Sequence, residues 1–284
     1  METASQKSIV LDDRHEVRVT LQGSGPDLVL IHGALTSGAD WFGAPMRALE
    51  GLGRLIIVDR PGHGHSRRAR FDGGPRQQAQ QLRAALAKLD VRQPILVAHS
   101  LGAMVALAMA EMQPDKVAGL VLVAPLAFPE IRPLEQAIYG ARSLPVVGPA
   151  WSQVMAAGPD RPVLERMHRL MFFPQAPLEE WQAHYPWAWM LSRDGGVVAG
   201  EEFGAIFPGS AQASVDFRKV VAPAEIVIGE MDGVVRPEIQ AVPLAALLKD
   251  ARLTRLPDTG HMLHHTRPDA VAQAVERMID RIGG

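Results

Sequence analysis

A serine, an aspartate and a histidine each follow a strand-like stretch of this sequence, and together they could carry out acyl transfer. Ser100 comes two positions after an apolar run at residues 94–98, and Asp232 and His261 follow two later strand-like stretches. A serine hydroxyl is a weak nucleophile at neutral pH and becomes reactive when a histidine accepts its proton. The sequence therefore predicts a nucleophilic serine, provided that the fold brings the three side chains together.

The surroundings of Ser100 match the nucleophile elbow, a sharp turn in which a serine stands between a strand and a helix. The motif is usually written G-x-S-x-G, and here it reads Ala98-His99-Ser100-Leu101-Gly102, with alanine in place of the first glycine. A serine before a glycine also occurs in ordinary tight turns and helix caps. The rest of the chain therefore has to supply a base, an acid and groups that bind an oxyanion.

The composition is that of a globular protein with a sizeable core. The chain has 284 residues, of which 47% are hydrophobic, and its formal net charge is -2. Nucleic-acid-binding proteins usually have a much larger basic excess, so the short basic stretch at residues 67–70 is interpreted as a solvated loop. The absence of cysteine excludes disulfides, cysteine-ligated metals and a cysteine nucleophile.

Nothing in the sequence predicts secretion or membrane insertion. The N-terminal residues are polar, and the longest apolar run, residues 118–128, contains Pro125 and is too short to cross a bilayer. No two histidines have the H-E-x-x-H spacing of a common zinc site. We therefore expect a cytoplasmic protein with a small-molecule substrate, no cofactor or metal, and no nucleic-acid or membrane partner. Whether it is a monomer or a homodimer stays open.

Alternating apolar runs and helical patterns predict an α/β fold with a mostly parallel central sheet and helices on both faces. Continuously apolar runs are typical of strands buried on both faces, whereas residues 16–21 alternate and predict a half-exposed edge strand. Strands are predicted at residues 8–11, 16–21, 27–31, 55–58, 94–98, 117–123, 224–228 and 251–256. Helices are predicted at residues 41–52, 76–89, 103–112, 236–248 and 268–282.

Residues 127–216 interrupt this alternation and predict an inserted helical cap between two parts of one core, residues 1–126 and 217–284. Within the cap, helices are predicted at residues 134–142, 161–172 and 177–188. The cap holds most of the large aromatic residues, which could form its own core or an apolar roof over a pocket. These aromatic residues are Trp151, Trp181, Trp187, Trp189, Tyr139 and Tyr185.

The order of the motifs closely resembles the α/β-hydrolase family. The resemblance covers nearly all of the chain outside the cap and implies an α/β-hydrolase fold in which Ser100, Asp232 and His261 form a catalytic triad. It rests on His32-Gly33, on the loop from Asp59 to Ser66, on the elbow, on the turn from Gly229 to Asp232 and on Gly260-His261.

The resemblance gives each of these groups a task. His261 would accept the proton of Ser100 and return it to the leaving group, while Asp232 would fix the tautomer of the imidazole. The oxyanion would be bound by two backbone N–H groups. One belongs to Leu101 at the start of a helix, and the other to Ala34 in the flexible loop after the third strand.

Other residues compete for these tasks. Glu230 and Glu130 are alternative acids, and His264 and His265 are alternative bases, although the family register favours Asp232 and His261. His99 is interpreted as a packing residue because successive strand residues face opposite sides. Three further histidines are given structural tasks: His63 and His65 in the loop after the fourth strand or at the pocket edge, and His32 in shaping the oxyanion loop.

Within the family, a serine at the elbow favours acyl chemistry, and we expect hydrolysis of an ester, a lactone or a similar carbonyl bond. Tryptophans and methionines in the cap indicate a largely apolar substrate, while the cap arginines are interpreted as surface charges. Relatives with the same triad also cleave carbon–carbon bonds or make peracids, and others only sense a small molecule. The methionines are Met155, Met167, Met171 and Met190, and the arginines are Arg161, Arg166, Arg169 and Arg193.

Overall fold

The computed structural model describes residues 4–283, and its centre is one eight-stranded sheet. The strands are β1 (Ser5–Val10), β2 (Glu16–Gln22), β3 (Asp27–Ile31), β4 (Arg54–Val58), β5 (Ile95–His99), β6 (Gly119–Val123), β7 (Ala224–Gly229) and β8 (Ala251–Leu256). They lie in the order β1-β2-β4-β3-β5-β6-β7-β8. From β4 across to β8 all neighbours are parallel, and only β1 and β2 are antiparallel. The predicted mostly parallel sheet is confirmed.

The prediction that residues 16–21 form an edge strand is wrong. β2 pairs with β4 on one side and with β1 on the other, and β1 is the edge. Val17 and Val19 are buried in β2 while their neighbours are more exposed. Alternation reports that one face of a strand meets solvent, and it carries no information about whether a further strand pairs alongside.

Twelve α-helices accompany the sheet within residues 4–283. They are α1 (Ala44–Leu49), α2 (Pro75–Lys88), α3 (Gly102–Met112), α4 (Pro133–Tyr139), α5 (Val147–Ala156), α6 (Asp160–Phe172), α7 (Glu179–His184), α8 (Trp187–Met190), α9 (Arg193–Ala205), α10 (Ala241–Leu247), α11 (Leu263–Thr266) and α12 (Pro268–Gly283). None of the helices in this part of the chain combines the length and the apolar character needed to cross a membrane.

Two of the helices expected outside the cap are shorter than predicted. The stretch at residues 41–52 is a 3₁₀ turn, Gly38–Trp41, followed by α1, because Gly43 takes a φ of 77° and interrupts the helix. The stretch at residues 236–248 is helical only as α10. Pro243 lies in its first turn, where the ring would clash with an earlier helical carbonyl and so prevents extension toward the N-terminus.

Apolar side chains on both faces of the sheet pack against helices, so that the sheet lies between two cores. On one face, Val29 and Leu96 belong to a cluster that includes residues of α2, α3 and α10. On the other, Leu30 and Val97 belong to a cluster that includes residues of α1 and α12. Strands β3–β7 are buried on both sides, which explains their largely apolar sequences.

Six helices, α4–α9, lie between β6 and β7, and we call them the inserted helices. α4 and α6 were predicted, and the predicted stretch at residues 177–188 is two short helices, α7 and α8. α5 and α9 were not predicted. The division of the chain at residues 127 and 216 stays a prediction, since the helices themselves begin at Pro133 and end at Ala205.

α9 escaped prediction because of its glycines. Each glycine in a helix interior costs about 1 kcal/mol relative to alanine, and α9 contains four. Close packing explains two of them: a Cβ at Gly196 would lie 2.1 Å from Ser152 Oγ, and one at Gly200 would lie 2.5 Å from the Tyr139 carbonyl oxygen. Tertiary contact with α4 and α5 therefore outweighs local helix propensity.

Candidate active site

Ser100 occupies a strained turn between β5 and α3. Its φ is 53°, a left-handed conformation that a side chain rarely adopts. The turn is held because the Ser100 N–H donates to the Val123 carbonyl and the Ser100 carbonyl accepts from the Leu126 N–H, both at 3.0 Å. A Cβ at Gly102 would lie 2.5 Å from the His32 carbonyl oxygen, so the last position of the motif has room only for glycine.

The structure brings Ser100, His261 and Asp232 together from the ends of three different strands. The His261 Nδ1–H donates to Asp232 Oδ2 at 2.7 Å, which leaves Nε2 to accept the Ser100 hydroxyl proton at 3.0 Å. Asp232 Oδ1 accepts the N–H groups of Val234 and Val235 at 2.9 and 2.8 Å. The carboxylate is therefore fixed on both oxygens, and it fixes the imidazole in turn.

The two residues whose backbone N–H groups are predicted to bind an oxyanion line the same cavity as Ser100. Leu101 precedes α3, and Ala34 lies in the loop after β3, and both residues line a cavity with Ser100 and His261. Neither N–H donates to an acceptor within residues 4–283. The N-terminus of α3 also carries a partial positive charge. The arrangement can therefore receive an oxyanion on a carbon bonded to Ser100 Oγ.

The cavity above Ser100 has a volume of about 430 Å³ and is mostly apolar. Among the four cap methionines, Met167 and Met171 line it. None of the tryptophans does, which favours the alternative in which they pack within the inserted helices. Trp181 is buried elsewhere, and Trp187 and Trp189 line a different cleft. Other apolar lining residues are Leu35, Leu126, Ile131, Leu134, Leu170, Phe173, Phe203 and Ile206.

The alternative acids and bases lie away from Ser100. Glu130 lines the cavity, but its carboxylate pairs with Arg132 and accepts a hydrogen bond from Gln240 Nε2. Glu230 is exposed to solvent. His264 and His265 lie in α11, where both are buried against Asp40.

A family model described as the alpha/beta hydrolase family matches residues 28–274. This chain belongs to the alpha/beta hydrolase family. The match spans both parts of the sheet and the inserted helices between them.

Individual relatives of this alpha/beta hydrolase fall into two groups. An uncharacterized protein from Mycobacterium bovis is 35% identical over 103 residues, which are 36% of this chain and 30% of that protein. A pimeloyl-[acyl-carrier protein] methyl ester esterase from Nitrosospira multiformis is 27% identical over 87% of this chain and 92% of the relative. The first match thus covers less than a third of its relative, whereas the second is nearly complete on both sides.

Solved structures share the fold over the whole chain. An esterase from Thermogutta terrifontis superposes with a TM-score of 0.76, covers 100% of both chains and is 19% identical in sequence. At that identity the likeness concerns the fold alone. The predicted α/β-hydrolase fold is confirmed for this alpha/beta hydrolase.

A second carboxylate, Asp40, is buried close to His99, the residue before Ser100. Its Oδ2 accepts the His264 Nε2–H at 3.0 Å, and its Oδ1 accepts the Trp181 Nε1–H at 3.0 Å. His99 Nδ1 lies 3.6 Å from Oδ2, and the His99 Nε2–H donates to the His261 carbonyl at 3.2 Å. Burial opposes the charge of Asp40, but His264 and its neighbours hold the pKa of this carboxyl well below its usual value.

The ligand atoms of Asp40, His264 and His265 lie within 4.8 Å of one another, a spacing that a metal ion could use. Both oxygens of Asp40 already accept hydrogen bonds from the His264 and Trp181 N–H groups, so the carboxylate oxygens have partners without an ion. Sequence spacing did not reveal this cluster because Asp40 and His264 are 224 positions apart.

His32, His63 and His65, which were expected to have structural roles, differ in burial. His65 is exposed, whereas His32 and His63 are buried, and burial lowers the pKa of both. Both buried rings lie close to Arg60, which is itself fully buried and pairs with Glu202 of α9. Sequence analysis named neither member of this ion pair. The sequence did indicate buried carboxylates here, since Glu201 and Glu202 stand among apolar and small residues in α9.

Proposed function

We propose that this protein is a serine esterase that cleaves esters with a small, largely apolar acyl or alcohol group. The observation that carries the proposal is the continuous contact from Asp232 Oδ2 through His261 to Ser100 Oγ, at 2.7 and 3.0 Å, at the floor of a mostly apolar cavity. The nearly full-length match to a methyl ester esterase supports the same reaction class.

In the acylation step, the Ser100 oxygen attacks the ester carbonyl carbon while His261 Nε2 accepts the hydroxyl proton. The carbonyl π electrons move to oxygen, and the N–H groups of Leu101 and Ala34 bind the resulting oxyanion. When the tetrahedral intermediate collapses, the imidazolium of His261 gives its proton to the leaving alkoxide. The alcohol departs, and Ser100 carries the acyl group.

Deacylation uses the same groups with water as the nucleophile. His261 takes a proton from water, the hydroxide attacks the acyl carbon, and a second oxyanion forms at the same N–H groups. The collapse of this intermediate breaks the bond to Ser100 Oγ, which recovers its proton from His261. Throughout, Asp232 accepts the His261 Nδ1–H and stabilises the imidazolium.

The cavity sets the proposed substrate size. A volume of about 430 Å³ lies in the range of small-ligand sites. Met167 and Met171 have flexible, unbranched side chains that adapt to different apolar groups. We therefore expect turnover to rise with acyl length until the cavity is filled and to fall beyond that point.

The test is a screen of p-nitrophenyl esters of graded acyl length, with simple lactones and dienoic ketones in parallel, and Ser100→Ala as the blank. We expect ester turnover that Ser100→Ala abolishes, and labelling of Ser100 alone by a serine-directed phosphonate. Faster turnover of dienoic ketones would replace the ester assignment by carbon–carbon cleavage. Phosphonate label on another residue would refute the nucleophile.

A further inference from the structure

One peptide unit of the loop after β3 receives two hydrogen bonds on its carbonyl oxygen. The Gly33 carbonyl accepts from Arg60 Nη2 at 2.7 Å and from His32 Nδ1 at 2.8 Å. The Arg60 backbone N–H donates to His32 Nε2 at 3.0 Å, so the proton of the neutral ring must lie on Nδ1. Burial and the neighbouring Arg60 charge hold the pKa of His32 well below its usual value, which keeps the ring neutral.

The N–H of this same peptide unit belongs to Ala34, one of the two groups proposed to bind the oxyanion. A peptide is planar and trans, so its N–H points opposite to its carbonyl. Donors that fix the Gly33 carbonyl therefore fix the direction of the Ala34 N–H. Hydrogen bonding at the carbonyl also polarises the peptide and strengthens the N–H as a donor.

The guanidinium that fixes the carbonyl is itself held by an inserted helix. Arg60 and Glu202 of α9 have side chains that are 0% and 1% exposed, and both Nη atoms of Arg60 contact the carboxylate. Gln78 Oε1 also accepts from Arg60 Nη1 at 2.8 Å. Burial opposes the charge of Glu202, but Arg60 and His63 hold its pKa well below the usual value, so the pair is ionic.

We propose that Arg60 is a positioning residue that aims the Ala34 N–H at the oxyanion, and that Glu202 links the inserted helices to the oxyanion hole by holding Arg60 in place. The inference rests on the proposed function, because the direction of the Ala34 N–H matters only if Ser100 forms a tetrahedral intermediate.

The adjacent residue of α9 provides a matched control. Glu201 is also buried and pairs with Arg68 and Arg70, which tie α9 to the loop after β4. Within residues 4–283 its carboxylate does not contact Arg60, His32 or Gly33. Glu201→Gln therefore removes a comparable buried charge and a comparable anchor of α9, and leaves the Gly33 carbonyl untouched.

The experiment measures kcat, KM and the affinity for an aryl trifluoromethyl ketone, which forms a tetrahedral adduct with a nucleophilic serine. For Glu202→Gln we expect kcat and ketone affinity to fall together by about 10- to 10²-fold, with KM within about threefold, because a misdirected donor fails chiefly in the transition state. Glu201→Gln should retain both within about threefold. Equal kcat values in the two folded variants would overturn the proposal.

If Glu202→Gln does not fold, the Arg60→Lys variant tests the proposal instead. A lysine keeps the cation beside Glu202, but a single ammonium cannot also reach the Gly33 carbonyl in the guanidinium's geometry. A loss of kcat with KM maintained supports the proposal, and wild-type kcat in Arg60→Lys contradicts it. Failure of the proposed function is recognised separately, because wild-type protein would then neither turn over esters nor react with the ketone.

Discussion

Of two buried aspartate–histidine pairs that lie close together within residues 4–283, one contacts a serine hydroxyl and the other does not. His261 contacts Asp232 at 2.7 Å and His264 contacts Asp40 at 3.0 Å, and all four side chains are at most 2% exposed. The second nitrogen of His261 reaches the Ser100 hydroxyl beneath a cavity. The second nitrogen of His264 is buried with no hydrogen-bond partner within residues 4–283.

The comparison shows that an aspartate–histidine contact is not by itself a catalytic signal. The two pairs differ in the group beside the second histidine nitrogen and in whether a cavity lies above that group. Ser100 sits on a strained turn that presents its hydroxyl to the cavity, whereas His264 packs against the rings of His99 and Trp41. The Asp40 pair instead connects the core to α7 through Trp181.

The sharpest test of this difference replaces each histidine with glutamine. His261→Gln should lower kcat by about 10⁴- to 10⁶-fold, because Ser100 loses its base. His264→Gln should lower it by less than about 10-fold, because His264 touches no reacting atom. Steady-state kinetics on one ester substrate measures both, and similar losses in two folded variants would contradict the assignment of His261.

Replacing Asp232 and Asp40 with asparagine should give the next largest difference in kcat. Asp232→Asn should lower kcat by about 10⁴-fold, because an asparagine favours the wrong tautomer of His261. Asp40→Asn should change kcat by less than about 10-fold. The same assay decides, and a larger loss in Asp40→Asn than in Asp232→Asn would reverse the roles that we give to the two carboxylates.

A third buried histidine, which has no hydrogen-bonded carboxylate, extends the comparison to stability. Burial lowers the pKa of His168 to about 4, against an ordinary value of 6.5 for a histidine. Between these values the unfolded chain binds a proton that the folded chain does not, so stability falls as the pH drops from about 6.5 to 4. His168→Phe should reduce this loss by roughly 3 kcal/mol. Urea unfolding at several pH values gives the free energy of unfolding of the variant and the wild type. If this free energy depends on pH in the same way in both proteins, the prediction is contradicted.

Asp40 should matter more for stability than for catalysis. Asp40→Asn retains one acceptor oxygen for the two buried donors, Trp181 Nε1–H and His264 Nε2–H, and we expect a loss of about 1–3 kcal/mol in the free energy of unfolding. Asp194→Asn, at an exposed carboxylate that pairs with Arg193, should change it by less than about 0.5 kcal/mol. Equal values for the two variants would show that the Asp40 cluster does not stabilise the fold.

The smallest effects are expected at the alternative acids. Glu130→Gln and Glu230→Gln should each leave kcat within about twofold of the wild type, because neither carboxylate contacts His261. A loss at either position as large as that of Asp232→Asn would show that the acid was misassigned.

Local patterns were enough to predict the sheet and the residues at its carboxyl edge. Continuously apolar runs identify the buried strands β5 and β7, whose following turns hold Ser100 and Asp232, and His261 follows the more exposed strand β8. The same reasoning missed α9, whose glycines lower its helix propensity, and the edge position of β1, which depends on pairing rather than on alternation. Local patterns also left open whether the cap tryptophans form a core or cover the cavity, and in the structure the cavity is lined by Met167 and Met171 and by none of the tryptophans.

The amino-acid sequence by itself determined the parallel sheet, the elbow and the order of serine, aspartate and histidine, because periodicity and turn chemistry act between near neighbours. The tertiary structure alone decided which buried charges meet. Asp40 with His264 and Arg60 with Glu202 are 224 and 142 positions apart. Burying a charge without a partner is costly. The sequence therefore indicates that a buried charge needs a partner, but only the packing of distant segments determines which residue it is.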